Sequence, residues 1–302
     1  MTVTPTRPFF SIIIPTFNRP RELAACLQSL KGLDYSRDRF EVIVVDDGSG
    51  MPLEPVVHPF IGLLDLSLIR QQNGGPASAR NRGAPVARGE FLIFTDDDCA
   101  LSPDFLWRLE VRIADAPECA VGGRTINAVT GNLYSTASQL MVDYLYARYN
   151  AVATRARFFT SNNMAVPSNY FKSIGSFDTS YRFAAGEDRD FFKRWLSQGL
   201  CMIYAPEVKV YHSHRLTFSG FCRQHFKYGR GAYRFHFSAT DHGERRVKME
   251  SFPFYLKLLC YPFTRAKGLH TPCLLTLMAI SQLATALGYW VEKASSRHER
   301  RS

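Results

Sequence analysis

This chain of 302 residues has the composition of a globular protein, with 46% apolar residues and enough length for one large domain or two smaller ones. Its net charge of +10 lies entirely at the C-terminal end: residues 1–214 contain 22 basic and 22 acidic residues, whereas residues 215–302 contain 15 and 5. A basic end of this kind predicts an anionic partner, which would be nucleic acid, phosphate groups or an acidic membrane face.

The cysteines and the N-terminus indicate the cellular setting. The seven cysteines are odd in number and widely spaced, which argues against a disulfide framework or a zinc site and favours a reducing compartment. The segment Met1–Pro8 is polar and lacks an apolar core, so the sequence predicts no secretory signal.

Apolar strands alternate with helices over residues 9–95. A helix is predicted after Asn18, which is a candidate N-cap, with Pro20 in its first turn. A second helix is predicted over Ala77–Ala87. The spacing predicts βαβ units and a mostly parallel sheet, an α/β fold. The four predicted strands are Phe9–Pro15, Phe40–Val45, Leu66–Arg70 and Phe91–Thr95.

Carboxylates follow two of these strands. Asp46 and Asp47 end the second strand, and Asp96, Asp97 and Asp98 end the fourth. Buried acids need a cation, and the carboxyl ends of parallel strands line a ligand cleft, so the triplet predicts a site for Mg²⁺ or Mn²⁺. The alternative is a solvated acidic turn that caps the next helix. No glycine-rich phosphate-binding loop follows the first strand.

The second half contributes two further groups of polar residues. Thr160–Met164 is a polar run that could enter the site as a strand, and Gly186–Asp190 opens a helix. Glu187 and Asp188 in that first turn would ordinarily stabilise the helix through its dipole.

The order of the motifs resembles that of family 2 glycosyltransferases. The segments that carry this resemblance are Ser11–Arg19, Val44–Ser49, Gly75–Gly83, Phe94–Asp98 and Gly186–Asp188. They span residues 11 to about 200, and the resemblance says little about the residues after about 240. The family implies a GT-A fold: a Rossmann-like, mostly parallel central sheet flanked by helices. It also implies inverting transfer from a nucleotide-diphosphate sugar.

The resemblance assigns roles by position. Pro15, Thr16 and Asp47, with Asp46 beside it, are implied to hold the base and ribose of the nucleotide. Arg80 is implied to stand near the base or the diphosphate.

The resemblance also implies a metal and a base. Asp96 and Asp98 match the family's Asp-x-Asp motif, and both are implied to hold Mn²⁺ or Mg²⁺, with Asp98 as the more direct ligand and Asp96 also at the nucleotide. Asp188 matches the catalytic base, with Glu187 nearby. The chemistry fits, because a cation neutralises the diphosphate leaving group and a carboxylate takes the proton of an acceptor hydroxyl.

A late strand adds two histidines. His212 and His214 are two residues apart in Val208–His214, so they are predicted to face the same way, and either is a candidate third metal ligand. The alternative is a pair of ordinary polar strand residues.

The C-terminal region is basic and apolar. Thr217–Phe237 mixes aromatic and basic residues, which suits a diphosphate or lipid headgroups better than nucleic acid once the core is glycosyltransferase-like. Pro272–Val291 is the most apolar window, long enough for a bilayer core but interrupted by polar residues. The interpretations, in order, are an interfacial anchor, a packing helix and a membrane span. The basic residues that flank the window are Lys267, Lys293, Arg297, Arg300 and Arg301.

The predicted organisation is a nucleotide-sugar-binding and catalytic domain over residues 1–240 and a helical, membrane-associating region over residues 241–302. The predicted enzyme is peripheral at the cytoplasmic face of the membrane. It transfers one sugar at a time, from UDP-sugar rather than GDP- or dTDP-sugar, to a glycan or lipid-linked hydroxyl. The absence of the Gln-x-x-Arg-Trp signature of processive polymerases supports single transfers, Gln224–Tyr228 being the nearest candidate. The alternatives are a sugar-phosphate nucleotidyltransferase and a non-catalytic scaffold.

Overall fold

The computed structural model describes residues 8–181, 185–241, 250–265 and 270–299. Within these ranges the chain forms one sheet of eight strands in the order β3-β2-β1-β4-β7-β6-β8-β5. The strands are β1 Phe10–Thr16, β2 Phe40–Asp46, β3 Leu66–Arg70, β4 Phe91–Phe94, β5 Cys99–Leu101, β6 Ala120–Asn127, β7 Met164–Pro167 and β8 Met202–His212.

The first half of the sheet is parallel, as the sequence predicts. β1 pairs with β2 and β4, and β2 pairs with β3, all in parallel register. Every residue of β1, β2 and β4 is buried, because helices cover both faces of this part of the sheet. The second half is mixed: β7 runs antiparallel between β4 and β6, while β8 is parallel to β6 and antiparallel to β5.

Ten α-helices surround the sheet in the described ranges. Two apolar clusters lie on its two faces, and a third lies between α5 and the C-terminal helices. The helices are α1 Pro20–Lys31, α2 Glu54–Val57, α3 Pro76–Gly83, α4 Phe105–Asp115, α5 Leu133–Tyr149, α6 Ser168–Ser173, α7 Glu187–Ser197, α8 Phe218–Asp241, α9 Phe252–Arg265 and α10 Thr271–Glu299.

The C-terminal helices pack closely on the rest of the chain. Gly229 of α8 and Gly288 of α10 lie where a Cβ would meet backbone oxygen of the facing helix at 1.9 and 2.0 Å, so the two helices touch backbone to backbone. The Tyr144 hydroxyl of α5 donates a hydrogen bond of 2.9 Å to the Phe254 carbonyl of α9. Lys267, Arg300 and Arg301, three of the predicted flanking charges, and residues 1–7 lie outside the described residues.

Two local predictions are wrong. Asn18 does not cap α1: its backbone φ is +56°, its Oδ1 accepts from the Gly50 amide at 2.8 Å, and the cap position falls on Arg19. Thr160–Asn163 is not part of a strand, because β7 begins only at Met164. Both segments use their polar side chains to hold neighbouring loops.

The cysteine prediction also needs correction, because Cys119 and Cys201 are joined in a disulfide with a Cα–Cα distance of 4.7 Å. Their separation of 82 residues conceals the pairing in the sequence. Each precedes one of two parallel neighbours, since Ala120 of β6 stands opposite Met202 of β8. The remaining cysteines are free.

Candidate active site

A large cavity of about 1340 Å³ lies between the carboxyl ends of the strands and helices α5, α8, α9 and α10. This is the position where open α/β sheets bind ligands. Asp46 does not line the cavity. The predicted site residues that do line it are Pro15, Thr16, Asp47, Arg80, Asp96, Asp98, Glu187, Asp188, His212 and His214.

The three carboxylates of the acid triplet have different partners. Asp96 accepts a hydrogen bond of 2.6 Å from Arg80. Asp97, which is buried, accepts from Thr16 and Arg19 at 2.8 Å each. The Arg19 guanidinium also donates to Asp98 at 2.9 Å. Burial raises the pKa of Asp97 to about 6, although the Arg19 charge opposes the shift. The triplet is therefore a set of paired, cavity-facing charges rather than a solvated turn.

Asp98, His212 and His214 form a candidate cation site. One ligand atom from each lies within 4.8 Å of the others, and His212 Nε2 is 3.2 Å from Asp98 Oδ1. Asp96 does not belong to this group, because Arg80 holds it elsewhere. One carboxylate and two imidazoles can hold a divalent transition metal, so the residues present fit Mn²⁺ better than Mg²⁺, which takes oxygen ligands.

Protonation in this group follows from burial and contact. Burial would raise the pKa of Asp98, but the hydrogen bond and charge of His212 and the charge of Arg19 outweigh it and lower that pKa. The contact with Asp98 raises the pKa of His212 against the effect of burial. Burial and the neighbouring His212 lower the pKa of His214 to about 4, so His214 is neutral and available as a ligand at neutral pH.

Arg80 connects the acid triplet to helix α7. Its side chain is only 1% exposed and donates to Asp96 at 2.6 Å and to Glu187 at 3.1 Å. It also lies over the Phe177 ring, at 5.7 Å from the centroid. A buried guanidinium is tolerated because carboxylates pair with it. The predicted contact of Arg80 with the nucleotide stays a prediction.

The first turn of α7 points two carboxylates at the cavity. Gly186 precedes it with φ of +97°, a conformation that favours glycine. Burial and, second, the charge of Asp188 raise the pKa of Glu187 to about 7, against the pull of Arg80. Burial also raises the pKa of Asp188, whose Oδ1 accepts from the Arg189 amide at 2.7 Å. Asp190 stabilises the helix itself, because it forms an ion pair of 2.9 Å with Arg194 one turn further along α7.

The second strand's acids have structural partners. Asp47 accepts from the Gln71 side chain and from the Gly74 and Gly75 amides at 2.7–2.9 Å, which fixes the turn before α3 at the cavity wall. Asp46 is buried below it and accepts from the Ser49 amide at 2.8 Å. Asp47 therefore faces the cavity, and Asp46 supports the loop.

Sequence reasoning missed several cavity residues. Arg19 belongs to the first motif but was given no role, although it pairs with two acids of the triplet. Gln224 and Tyr228 also line the cavity, and Gln224 donates to the Tyr228 hydroxyl and to Ser138. Their position in Gln224–Tyr228, the segment nearest to the Gln-x-x-Arg-Trp signature, was the signal that could have found them.

Proteins of similar sequence include several that transfer sugars or synthesise polysaccharides by name. A glycosyltransferase, AglE, of Haloferax volcanii is 26% identical over 237 residues, which cover 76% of this chain and 74% of that protein. A hyaluronan synthase of Pasteurella multocida is 26% identical over 241 residues, 67% of this chain but only 24% of that protein, so several such relatives are much longer.

Solved structures share the fold. A mannosyltransferase from Pyrobaculum calidifontis, in complex with GDP-Man and Mn²⁺, matches with a TM-score of 0.65 and 19% identity, covering 99% of this chain and 89% of that one. TarS of Staphylococcus aureus, in complex with UDP-GlcNAc, matches with a TM-score of 0.54 and 20% identity, covering 96% and 92%. The GT-A fold is thus confirmed, and the first of these matches extends through the C-terminal helices.

The family model described as Glycosyl transferase family 2 matches residues 11–175. This stretch contains four of the five predicted motifs and more than half of the chain. This family match favours a glycosyltransferase over the two alternatives, a sugar-phosphate nucleotidyltransferase and a non-catalytic scaffold. The chain belongs to glycosyl transferase family 2, and it is a glycosyltransferase.

Proposed function

We propose that this enzyme transfers one sugar per encounter, with inversion, from a nucleotide-diphosphate sugar to an acceptor hydroxyl, and that it requires Mn²⁺ or Mg²⁺. The observation that carries the proposal is that two separate acidic sites face one cavity: Asp98 with His212 and His214, and Asp188 with Glu187. The reaction needs both, one beside the leaving diphosphate and one beside the attacking hydroxyl.

Asp188 acts as the general base. The acceptor oxygen attacks the anomeric carbon, the bond from that carbon to the diphosphate oxygen breaks, and the proton of the acceptor goes to the Asp188 carboxylate. The raised pKa of Asp188, caused by burial, suits this role, because a stronger base accepts the proton more readily. Glu187 and Arg80 hold the start of α7 in position.

Asp98, His212 and His214 would hold the metal, with Asp96 at the adjoining nucleotide. When bound, the cation neutralises the charge that develops on the leaving diphosphate. Arg19 keeps Asp97 and Asp98 ionised and in place. His212 must lose its proton to solvent before it can coordinate, so metal affinity is expected to rise with pH.

Pro15, Thr16 and Asp47 would bind the base and ribose, with Asp46 supporting their loop. Known structures of similar fold hold GDP-Man in one case and UDP-GlcNAc in the other. We favour UDP as the nucleotide. The substitution of Lys227 and Tyr228 for the last two residues of the Gln-x-x-Arg-Trp signature supports non-processive transfer.

The protein would act at the cytoplasmic face of an anionic membrane, with no nucleic acid partner. Within the described residues, Thr271–Ser296 is the helical segment that is long and apolar enough to cross a bilayer, and 28% of its most apolar window is buried. The partial burial and the close packing on α8 support an interfacial helix rather than a span. The two proposed parts are residues 1–240 for catalysis and residues 241–302 for membrane association.

The test is turnover of a panel of UDP-, GDP- and dTDP-sugars by the full chain, measured as release of the nucleoside diphosphate with Mn²⁺, with Mg²⁺ and with chelator. We expect release from a UDP-sugar that chelator abolishes, and weaker nucleotide-sugar binding in Asp98→Asn. The matched control is Asp34→Asn, an exposed acid remote from the cavity. Full activity in chelator would contradict the metal assignment, and no turnover of any donor would contradict the function.

A further inference from the structure

The cavity is larger than a nucleotide sugar requires, and its two ends differ. Its volume of about 1340 Å³ exceeds the roughly 300–1,000 Å³ of ordinary small-molecule pockets. The acids, histidines and arginines described above lie at the strand ends. The far wall comes from α5, α9 and α10, and we name it the apolar lobe; it is lined by Met141, Val142, Leu145, Phe254, Tyr255, Leu258, Leu259, Ala286, Tyr289 and Trp290.

The parts of the apolar lobe on α5 and α9 belong to one apolar cluster. Phe254 and Leu258 belong to the third apolar cluster, which joins α5 to the C-terminal helices. Met141, Leu145 and Leu259 are only partly buried and pack against the same cluster while facing the cavity. Apolar surface that faces water costs about 25 cal/mol per Å², so an apolar ligand is the favoured occupant.

The lobe continues into an exposed apolar surface on α10. Ala286 and Trp290 line the cavity, and Trp290 is 60% exposed on the outside of the helix. Leu287 and Leu283 extend this surface one and two turns away from Trp290. Lys293 places its ammonium over the Trp290 ring at 4.3 Å, which adds a positive charge at the mouth. An amphiphile at a membrane surface meets all of these features in order.

We propose that the acceptor is a membrane amphiphile whose alkyl or isoprenoid chain occupies the apolar lobe while its head-group hydroxyl reaches Asp188. The inference rests on the proposed function and specifies the acceptor of that same site. The sugar is transferred onto the head group as described above. The head-group oxygen bonds to the anomeric carbon, the diphosphate leaves and Asp188 takes the proton.

The test measures chain binding directly. A brominated long-chain alkyl glucoside, used below its micelle concentration, quenches tryptophan fluorescence on contact, and ethyl glucoside is the chain-free control. We expect saturable quenching of the full-length protein by the long chain only, and its loss in Trp290→Phe. Ala286→Phe fills the lobe and should weaken quenching about tenfold or more. Ala279→Phe, an exposed residue of the same helix outside the cavity, should leave it unchanged.

Three results separate this inference from the proposed function. Equal quenching in Ala286→Phe and Ala279→Phe, or none in either, overturns the inference even if a nucleotide sugar is turned over normally. Nucleotide-sugar binding measured by calorimetry must be preserved in both variants, which shows that they are folded. Specific quenching without turnover of any nucleotide sugar overturns the acceptor role together with the proposed function.

Discussion

The two walls of the cavity are built on different physical principles. The strand-end wall consists of charges, and each acid there is fixed by an arginine, a histidine or a backbone amide. The helical wall on α5, α9 and α10 is largely apolar, although Gln139, Gln282 and Thr285 also line it. Directional bonds fix the position of polar groups, whereas apolar contacts fix only shape and area. Under the proposed function, donor chemistry would be decided at one wall and acceptor choice at the other.

The two walls also differ in how they are supported. Asp47 and Asp98 come after strands β2 and β4, which are buried along their whole length, and Arg80 is a buried residue of helix α3; sites on such rigid elements hold their geometry well. The helical wall is supported by helix packing, with a tight approach of α8 and α10 at Gly229 and Gly288, and by side-chain bonds such as that of Tyr144 to Phe254. Changes at the strand-end wall should therefore affect rate or folding strongly, while changes at the helical wall should act mainly on partners.

The largest effect is expected at Asp188. Asp188→Asn keeps the shape of the side chain but removes its basicity, so turnover should fall about 10²–10⁴-fold while nucleotide-sugar affinity is nearly unchanged. Steady-state kinetics and calorimetry measure the two quantities. The matched control, Asp190→Asn, changes the acid two residues further along α7, which pairs with Arg194 instead of lining the cavity. Near-normal turnover in Asp188→Asn would mean that the base lies elsewhere.

The same residue predicts a pH dependence. Burial raises the pKa of Asp188, and a base works in its deprotonated form, so kcat/KM should fall as pH decreases through that raised pKa. The acidic limb should lie above the ordinary aspartate pKa of about 3.9. Glu187, whose own pKa is raised to about 7 by burial and by the Asp188 charge, does not contribute to the raised pKa of Asp188, so Glu187→Gln should leave the limb in place, whereas Asp188→Asn should remove it. A limb that persists in Asp188→Asn would contradict the assignment.

Arg80 is expected to show the next largest effect, on folding. Arg80→Met leaves Asp96 and Glu187 without their buried partner and should lower the free energy of unfolding by about 3–5 kcal/mol. Urea unfolding measures it. Arg82→Met, an exposed arginine on the same helix, should change stability by less than about 0.5 kcal/mol. Equal losses in both variants would show that the buried pairing contributes nothing.

The helical wall should respond through membrane binding. Leu283 and Leu287 are 71% and 59% exposed and lie one turn apart on α10. Replacing both with serine should weaken partition into anionic vesicles by about tenfold or more for each leucine that enters the lipid, with turnover of soluble donor unchanged. Trp107→Ser with Val111→Ser is the control, since these residues form a similar exposed pair on α4. Equal flotation of both double variants would contradict the interfacial helix.

The acidic residues of the strand-end wall could be predicted from the sequence, because they come directly after buried strands. The runs that end at Asp46 and Asp96 fix which carboxylates reach the rim, and Asp188 marks the first turn of a predicted helix. What could not be read is which partner each side chain takes. Arg80 lies 107 residues from Glu187, and nothing local indicates that the two are 3.1 Å apart.

The helical wall was less readable. The apolar period of α10 predicts a helix, but the same pattern fits an anchor, a packing helix and a span, because each buries one face. The cavity itself depends on how α5, α9 and α10 meet, and such contacts between distant segments leave no local pattern. The Cys119–Cys201 disulfide was missed for the same reason.

The smallest effect concerns the contact of Asn132, at the start of α5, with Leu216, just before α8, which we call the joint between the two walls. Asn132 caps α5, accepting from the Ser135 amide at 2.9 Å, and its side-chain amide donates to the Leu216 carbonyl just before α8 at 2.8 Å. Asn132→Ala removes both bonds and should cost about 0.5–2 kcal/mol of stability. Asn132→Asp keeps the oxygen that caps α5 and places a negative charge at the helix N-terminus, where the dipole favours it. It loses the amide that donates to Leu216, so it tests that hydrogen bond separately from the cap.

If the joint between the walls matters, Asn132→Asp should unfold at nearly the wild-type urea midpoint yet show faster hydrogen exchange at the start of α8, because the cap survives while the contact with Leu216 is lost. Asn132→Ala should show both a lower midpoint and faster exchange. Thr136→Ala, which removes a bond within α5 itself, is the control that should leave exchange in α8 unchanged. Identical exchange in all three variants would mean that the helical wall is held by its apolar contacts alone, and that the two walls are joined only through the cavity they share.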